Sequence, residues 1–259
     1  MLIAALSIGG LGLIFALGLG VASRVFVVEV DPKVEAVLET LPGTNCGACG
    51  YAGCPGFAKA VAGGEAEPNG CKAGGHEVAC AVGEILGVTV EAKAVEVARI
   101  ACGFKGEAPA RFQYVGPQGC QAVVLMGGGD KLCAYACLGR GDCIRVCHFG
   151  AIKLEGHSVR VDETLCTGCG KCVTVCPKGV IRISPKEKKV VVACNSQDKG
   201  PAVKKICAIG CIACKLCVKA CELEAISVEN FLAFINYEKC TGCQACVAKC
   251  PTGSIITIG

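Results

Sequence analysis

The sequence has no tryptophan, two methionines and only 5% aromatic residues. Bases would find few rings to stack on, and no nucleic-acid recognition motif is present, so nucleic acid is excluded as a partner. Active-site pairings are missing too. No paired carboxylates, no nucleophile beside a base and no open metal site can be singled out, so no catalytic residue is expected. Gly127-Gly128-Gly129 lacks the strand-turn-helix setting of a dinucleotide fingerprint, and no nicotinamide site is expected.

What the chain has in abundance is cysteine, 25 in all. Cys166, Cys169, Cys172 and Cys176 precede Pro177, and Cys240, Cys243, Cys246 and Cys250 precede Pro251. Both runs have the C-x2-C-x2-C-x3-C-P spacing that binds 4Fe-4S clusters in bacterial ferredoxins. Three thiolates on a tight loop meet one cube, and the fourth, at the start of a helix, points to the neighbouring cluster. The chemistry implied is one-electron transfer.

The pattern is duplicated. Cys120, Cys133, Cys137, Cys143, Cys147, Cys166, Cys169, Cys172 and Cys176 each have a counterpart at one constant offset, 194 less 120, beginning with Cys194 and Cys207 and ending with Cys250. Such a repeat predicts two tandem two-cluster units, 118–186 and 187–259. In the second, the crossing ligand sets are Cys211, Cys214, Cys217 and Cys250, and Cys240, Cys243, Cys246 and Cys221. In the first, Cys166, Cys169, Cys172 and Cys147 form a regular set, but Arg140 stands where the copy has Cys214. Cys133 is the expected replacement, completing Cys133, Cys137, Cys143 and Cys176, with Cys120 as second candidate. Cys102, Cys120, Cys194 and Cys207 are possible extra ligands, able to build a sixth cluster, and Cys80 has no assigned role.

A different signature lies upstream. Cys46, Cys49, Cys54 and Cys71 give C-x2-C-x4-C-x16-C in a glycine-rich stretch whose backbone can approach an inorganic core closely. A fifth 4Fe-4S cluster is expected here, with tetrahedral zinc as the rival. Disulfides fit poorly, because no secretory signal is convincing and clusters need reduced thiols. After Cys147, Cys176, Cys221 and Cys250 an isoleucine stands at the fifth position on, at Ile152, Ile181, Ile226 and Ile255. Each marks a short half-buried strand that would shield a cluster from water.

Met1 to Ser23 carries no charged side chain. At about 1.5 Å per residue it can cross a hydrocarbon core of about 30 Å, so residues 1–28 read as a single-pass anchor in lipid. A cleaved signal peptide is disfavoured by the missing basic leader and the length of the run. Arg24 and Lys33 follow the span, which puts the soluble domains on the cytoplasmic side of the inner membrane. The predicted class is α+β: the anchor, a 4Fe-4S domain at 29–75, a connector at 76–117 and the two ferredoxin-like units. Within the connector, Val90–Arg99 alternates like a strand but has helix-favouring Ala, Glu and Lys. Residues 1–130 hold 8 basic and 12 acidic side chains and residues 131–259 hold 18 and 10, so +4 overall is −4 followed by +8. Much of that basic excess would be countercharge to clusters. Lys199, Lys204, Lys205, Lys215 and Lys219 would still suit an acidic redox protein.

The apolar span, Asp31-Pro32, the segment Leu41-Pro42-Gly43-x-Asn45-Cys46-Gly47-x-Cys49-Gly50 with Cys54 and Cys71, and the ferredoxin modules resemble the B subunit of the Rnf ion-translocating ferredoxin:NAD oxidoreductase. Cys194, Val203-Lys204-Lys205-Ile206-Cys207 and Cys211-Ile212-x-Cys214-Lys215-x-Cys217 resemble its extended form. The resemblance implies a subunit that takes electrons from reduced ferredoxin or flavodoxin and passes them to membrane and flavin subunits. Competing readings are an anchored iron-sulfur scaffold, or the electron carrier of a membrane hydrogenase or formate-oxidising complex.

Overall fold

The computed structural model of the protein describes residues 2–26, 31–91, 94–104 and 109–258. Ala92 and Lys93, in the ambiguous stretch, and the junction at 27–30 lie outside the described residues. Helix α1, Leu2–Val25, is long enough to span a membrane. Over Ile8–Val25 its mean hydropathy is 1.8, and none of that window is buried against protein. A helix apolar all round with nothing packed on it is suited to lipid.

The next domain is helical. Asp31 caps α2, Pro32–Thr40, by accepting the Lys33 N–H at 2.9 Å, and Pro32 supplies a φ already suited to a first turn. Helices α3, Gly53–Ala62, and α4, Gly75–Leu86, close around a core that includes Val37, Phe57, Ala58, Val61 and Val82. Helix α4 stops at Gly87, in the left-handed conformation that ends a helix without Cβ strain. The segment expected to be a connector is therefore divided: its first part completes this domain.

Its next part, β1, Glu96–Ile100, belongs to the first ferredoxin unit. The unit continues with α5, Cys120–Leu125, α6, Asp142–Arg145, β2, Ile152–Glu155, β3, Ser158–Val161, α7, Lys171–Val175, and β4, Ile181–Pro185. The second has β5, Val190–Val192, α8, Gly200–Ile206, α9, Leu216–Lys219, β6, Ile226–Glu229, β7, Leu232–Ile235, α10, Ala245–Lys249, and β8, Ile255–Thr257. Strands β2–β3 and β6–β7 are hairpins, while β1–β4 and β5–β8 pair the start of each unit with its end, all antiparallel. Ile152, Ile181, Ile226 and Ile255 are all buried, as the repeated strand signal predicts.

The strands also reveal how the copies align. Ala101 donates its N–H to Val180 O, and Ala193 donates to Ser254 O, at 2.7 and 2.8 Å. The acceptors, Val180 and Ser254, keep the offset of the cysteine repeat, but the donors, Ala101 and Ala193, stand further apart. An insertion therefore separates β1 from the rest of the first unit. Cys102 is the true counterpart of Cys194, and Cys120 stands beyond the added segment's start.

Candidate metal centres

Cys46, Cys49, Cys54 and Cys71 line one cavity of about 10 Å³. Asn45 fixes its wall by accepting the Cys54 N–H at 2.9 Å. The loop before α3 closes through Gly53, whose φ is +77 and where a Cβ would come within 2.8 Å of Asn45 Oδ1. Only glycine meets both demands.

In the first ferredoxin unit, Cys147, Cys166 and Cys169 are the thiols around Cys172, whose pKa is pushed up to about 12, first by burial and then by these neighbours. Ala98 in β1 donates its N–H to Cys166 Sγ at 3.3 Å. The other foursome gathers around the second candidate, Cys120, and not around Cys133. A cavity of about 20 Å³ is lined by Cys120, Cys137, Cys143 and Cys176. Cys143 is pushed up to about 12 by burial and then by Cys137, Cys120, Cys172 and Cys176. Cys120, at the start of α5, thus completes this group of four thiols, in which Arg140 offers none. Gln121 N–H reaches Asp142 Oδ2 at 3.0 Å and anchors that turn. Arg140 itself pairs with Asp130 at 2.6 Å and lies over the Tyr114 ring.

Cys133 faces elsewhere. With Cys102, Cys194 and Cys207 it lines a cavity of about 50 Å³ between the two units. Its pKa is pushed up to about 11 by burial, and its thiol neighbours are these three. Nothing in the spacing announced this group, because it draws from four separate segments. The signal available was arithmetic: Cys120 used once leaves four cysteines over besides Cys80.

In the second unit Cys211, Cys214, Cys217 and Cys250 line a cavity of about 10 Å³. Burial and then Cys211 and Cys214 push Cys217 up to about 11. Cys246 is raised by burial and by Cys240 and Cys243, and Cys221 packs against the same core as Cys246. Ala225 donates its N–H to Cys221 Sγ at 3.4 Å. Cys80 joins none of these groups; its sulfur lies 3.4 Å from His76 Nε2 on α4.

These donor sets fit 4Fe-4S clusters. Thiols gathered in one pocket repel one another as thiolates, and an iron core supplies the missing positive charge. Buried isoleucines and backbone N–H groups aimed at sulfur complete the surroundings that tune such a cluster. The groups also follow one another in space. Cys71 and Thr167 face a common cleft, Cys143 neighbours Cys172, Cys137 borders the inter-unit cavity, and Cys211 donates its N–H to Cys194 Sγ at 3.3 Å.

Comparison with known proteins agrees with this chemistry. Residues 41–73 match a family described as "Putative Fe-S cluster", residues 159–182 a 4Fe-4S binding domain, and residues 210–255 a 4Fe-4S dicluster domain. The chain is 43% identical over 251 residues to the B subunit of the ion-translocating oxidoreductase complex of Methanosarcina acetivorans, covering 96% of this chain and 95% of that one. It is also 43% identical to the B subunit of the Na(+)-translocating ferredoxin:NAD(+) oxidoreductase complex of Acetobacterium woodii, covering 96% and 75%. A shorter match, 48% over 100 residues, is to the B subunit of the ion-translocating oxidoreductase complex of Rhodobacter capsulatus, covering 39% and 54%.

Proposed function

This chain belongs to the family of B subunits of Rnf-type ion-translocating ferredoxin:NAD oxidoreductase complexes, and we propose that it accepts low-potential electrons from reduced ferredoxin or flavodoxin and relays them toward the membrane and flavin subunits. Bound 4Fe-4S clusters supply reversible one-electron transfer. The residues that would hold five of them are Cys46, Cys49, Cys54 and Cys71; Cys147, Cys166, Cys169 and Cys172; Cys120, Cys137, Cys143 and Cys176; Cys211, Cys214, Cys217 and Cys250; and Cys221, Cys240, Cys243 and Cys246. The soluble domains would lie on the cytoplasmic side, where Arg24 and Lys33 favour them.

The observation that carries the direction is exposure. Of all 25 cysteines only Cys214 and Cys243 are exposed, and both are in the second unit. Lys199, Lys204, Lys205, Lys215 and Lys219 belong to that same unit, and all five are exposed there, a basic surface for an acidic donor. The Cys46 group follows closely on the anchor, which ends at Val25, so electrons would arrive at the far end and leave near the membrane. Thiols that are buried or half-buried everywhere but at Cys214 and Cys243 also argue against a scaffold that surrenders its clusters.

The test is stopped-flow reduction of the cluster-loaded chain by ferredoxin. Lys204→Glu with Lys205→Glu is expected to slow reduction severalfold at low salt and flatten its salt dependence, since steering is a screened rate effect. An unchanged rate and salt dependence would remove this face as the docking site. Cys49→Ser should leave that reduction intact while onward transfer in the complex stops. If reduction of the second unit depends on the Cys46 group, the direction is reversed.

A further inference from the structure

The cavity between the two ferredoxin units has a symmetry that the chain's numbering hides. Cys102 and Cys194 follow equivalent strands, as the matching bonds from Ala101 and Ala193 establish. Cys133 and Cys207 are related by the constant offset of the repeat, and each stands shortly before the first cysteine of a cluster loop, Cys137 or Cys211. Each repeat therefore contributes one strand-end cysteine and one pre-loop cysteine to a common pocket. The repeats meet closely there: Gly103 donates its N–H to Ala193 O at 2.8 Å, and a Cβ on Gly103 would lie 2.9 Å from Ala193 Cβ.

We infer that Cys102, Cys133, Cys194 and Cys207 hold a sixth 4Fe-4S cluster, shared two and two between the repeats, which joins the two ferredoxin units electronically. None of the family-matched segments includes any of these four residues. Position decides between cubane and zinc. Zinc has no second oxidation state with which to pass an electron, whereas this site lies between Cys137 of one thiol group and Cys211 of another, where a redox-active centre continues the relay. The cavity walls are mainly apolar, from Ala101, Phe104, Val203, Ile206 and Ile209, which keeps solvent from a cluster.

Position gives the site its role, and this part rests on the relay reading above. Cys137 borders the cavity from the first unit, and Cys211 reaches Cys194 from the second. One electron received from the Cys211 group and one passed to the Cys137 group leave the site unchanged over each cycle. The sequence-based expectation, in which only Cys133 serves a regular cluster, makes Cys207 dispensable. The shared site makes the two equivalent.

The experiment is metal and sulfide analysis of the full chain, purified anaerobically with its clusters. The native protein should hold about 24 iron and 24 acid-labile sulfide, and Cys133→Ala and Cys207→Ala should each fall to about 20 of both, with the other clusters still visible by EPR. Cys80→Ser should keep the full complement. Native protein at about 20, or a zinc ion lost in both variants, overturns the site but leaves the five-cluster relay standing. Native protein without reducible clusters overturns both. Should a variant fail to fold, the native count still decides. In the assembled complex, Cys207→Ala should keep rapid reduction of the second unit by ferredoxin and lose transfer beyond it. Onward transfer at the native rate overturns the linking role.

Discussion

Cys250 differs from the other thiols of its group in what surrounds its sulfur. Burial raises its pKa, but the hydroxyls of Ser254 and Thr252 and the backbone N–H groups of Ile255 and Thr252 outweigh it and bring it down to about 7. Ser254 Oγ lies 3.3 Å from the sulfur. Hydrogen bonds to cluster sulfurs favour the more negative, reduced state and raise the potential. The equivalent position in the first unit is Val180, whose side chain offers Cys176 no such donor. Replacing Ser254 by Ala should lower the potential of the Cys211 group's cluster by on the order of 40 mV, the equivalent of about 1 kcal/mol in a one-electron couple. EPR-monitored redox titration reads it; a shift upward, or none, would discount the hydroxyl. At this scale the thiol groups were legible in the sequence wherever their cysteines are close together. Cys166-x2-Cys169-x2-Cys172 declares itself because one loop supplies three thiols. Cys120 was obscured because its match to Cys194 in the repeat is real in number but not in structure.

Among the elements, β1 joins three parts of the molecule. Its Ala98 N–H points at Cys166 Sγ, its Glu96 pairs with Lys72 beside Cys71 at 2.7 Å, and its whole length pairs with β4. The loop carrying Cys166 and Cys169 passes against it at Gly168, with φ +65, where a Cβ would lie 2.5 Å from Glu96 O. Gly168→Ala combines left-handed strain with overlap on backbone that cannot swing aside. A loss on the order of 3 kcal/mol is expected, seen as a lower Tm of the loaded protein and faster bleaching of its visible absorbance in chelator. A native-like Tm would mean that β1 can shift. The four isoleucine strands could be read in advance because each repeats a local pattern. Residues 96–100 could not be assigned, since alternation favours a strand and composition a helix. Pairing with β4, remote in sequence at Ile181–Pro185, settles the choice, and tertiary contact of that kind leaves no local trace.

Across the whole molecule, a partly buried ion network ties the strand before the insertion to the start of the second unit. Arg99 pairs with Glu163 at 3.1 Å and donates to the carbonyls of Lys186 and Lys188, while Lys189 reaches Glu163 at 2.8 Å. Burial works to raise the Glu163 pKa, but Lys189 and Arg99 outweigh it and hold it below the usual range. A depressed carboxylate stabilises above its unfolded pKa and fades only as pH falls through the folded value, so the network acts fully at neutral pH. Glu163→Gln strands Arg99 in the interior and should lower Tm at pH 7 by roughly 5 to 10 °C; an unchanged Tm would mean that the backbone carbonyls alone hold Arg99. The thiol groups also differ in how soon a growing chain can complete them. The Cys46 group closes within the short stretch from Cys46 to Cys71, whereas the group shared by the repeats must wait from Cys102 to Cys207. The pairing of β5 with β8 waits longer still, for Thr257. Contacts of short sequence separation form first, and domains fold as they emerge from the ribosome. The domain beside the anchor can therefore take up iron while the second unit is still being synthesised, so the protein is built from the membrane outward, opposite to the direction in which its electrons would travel.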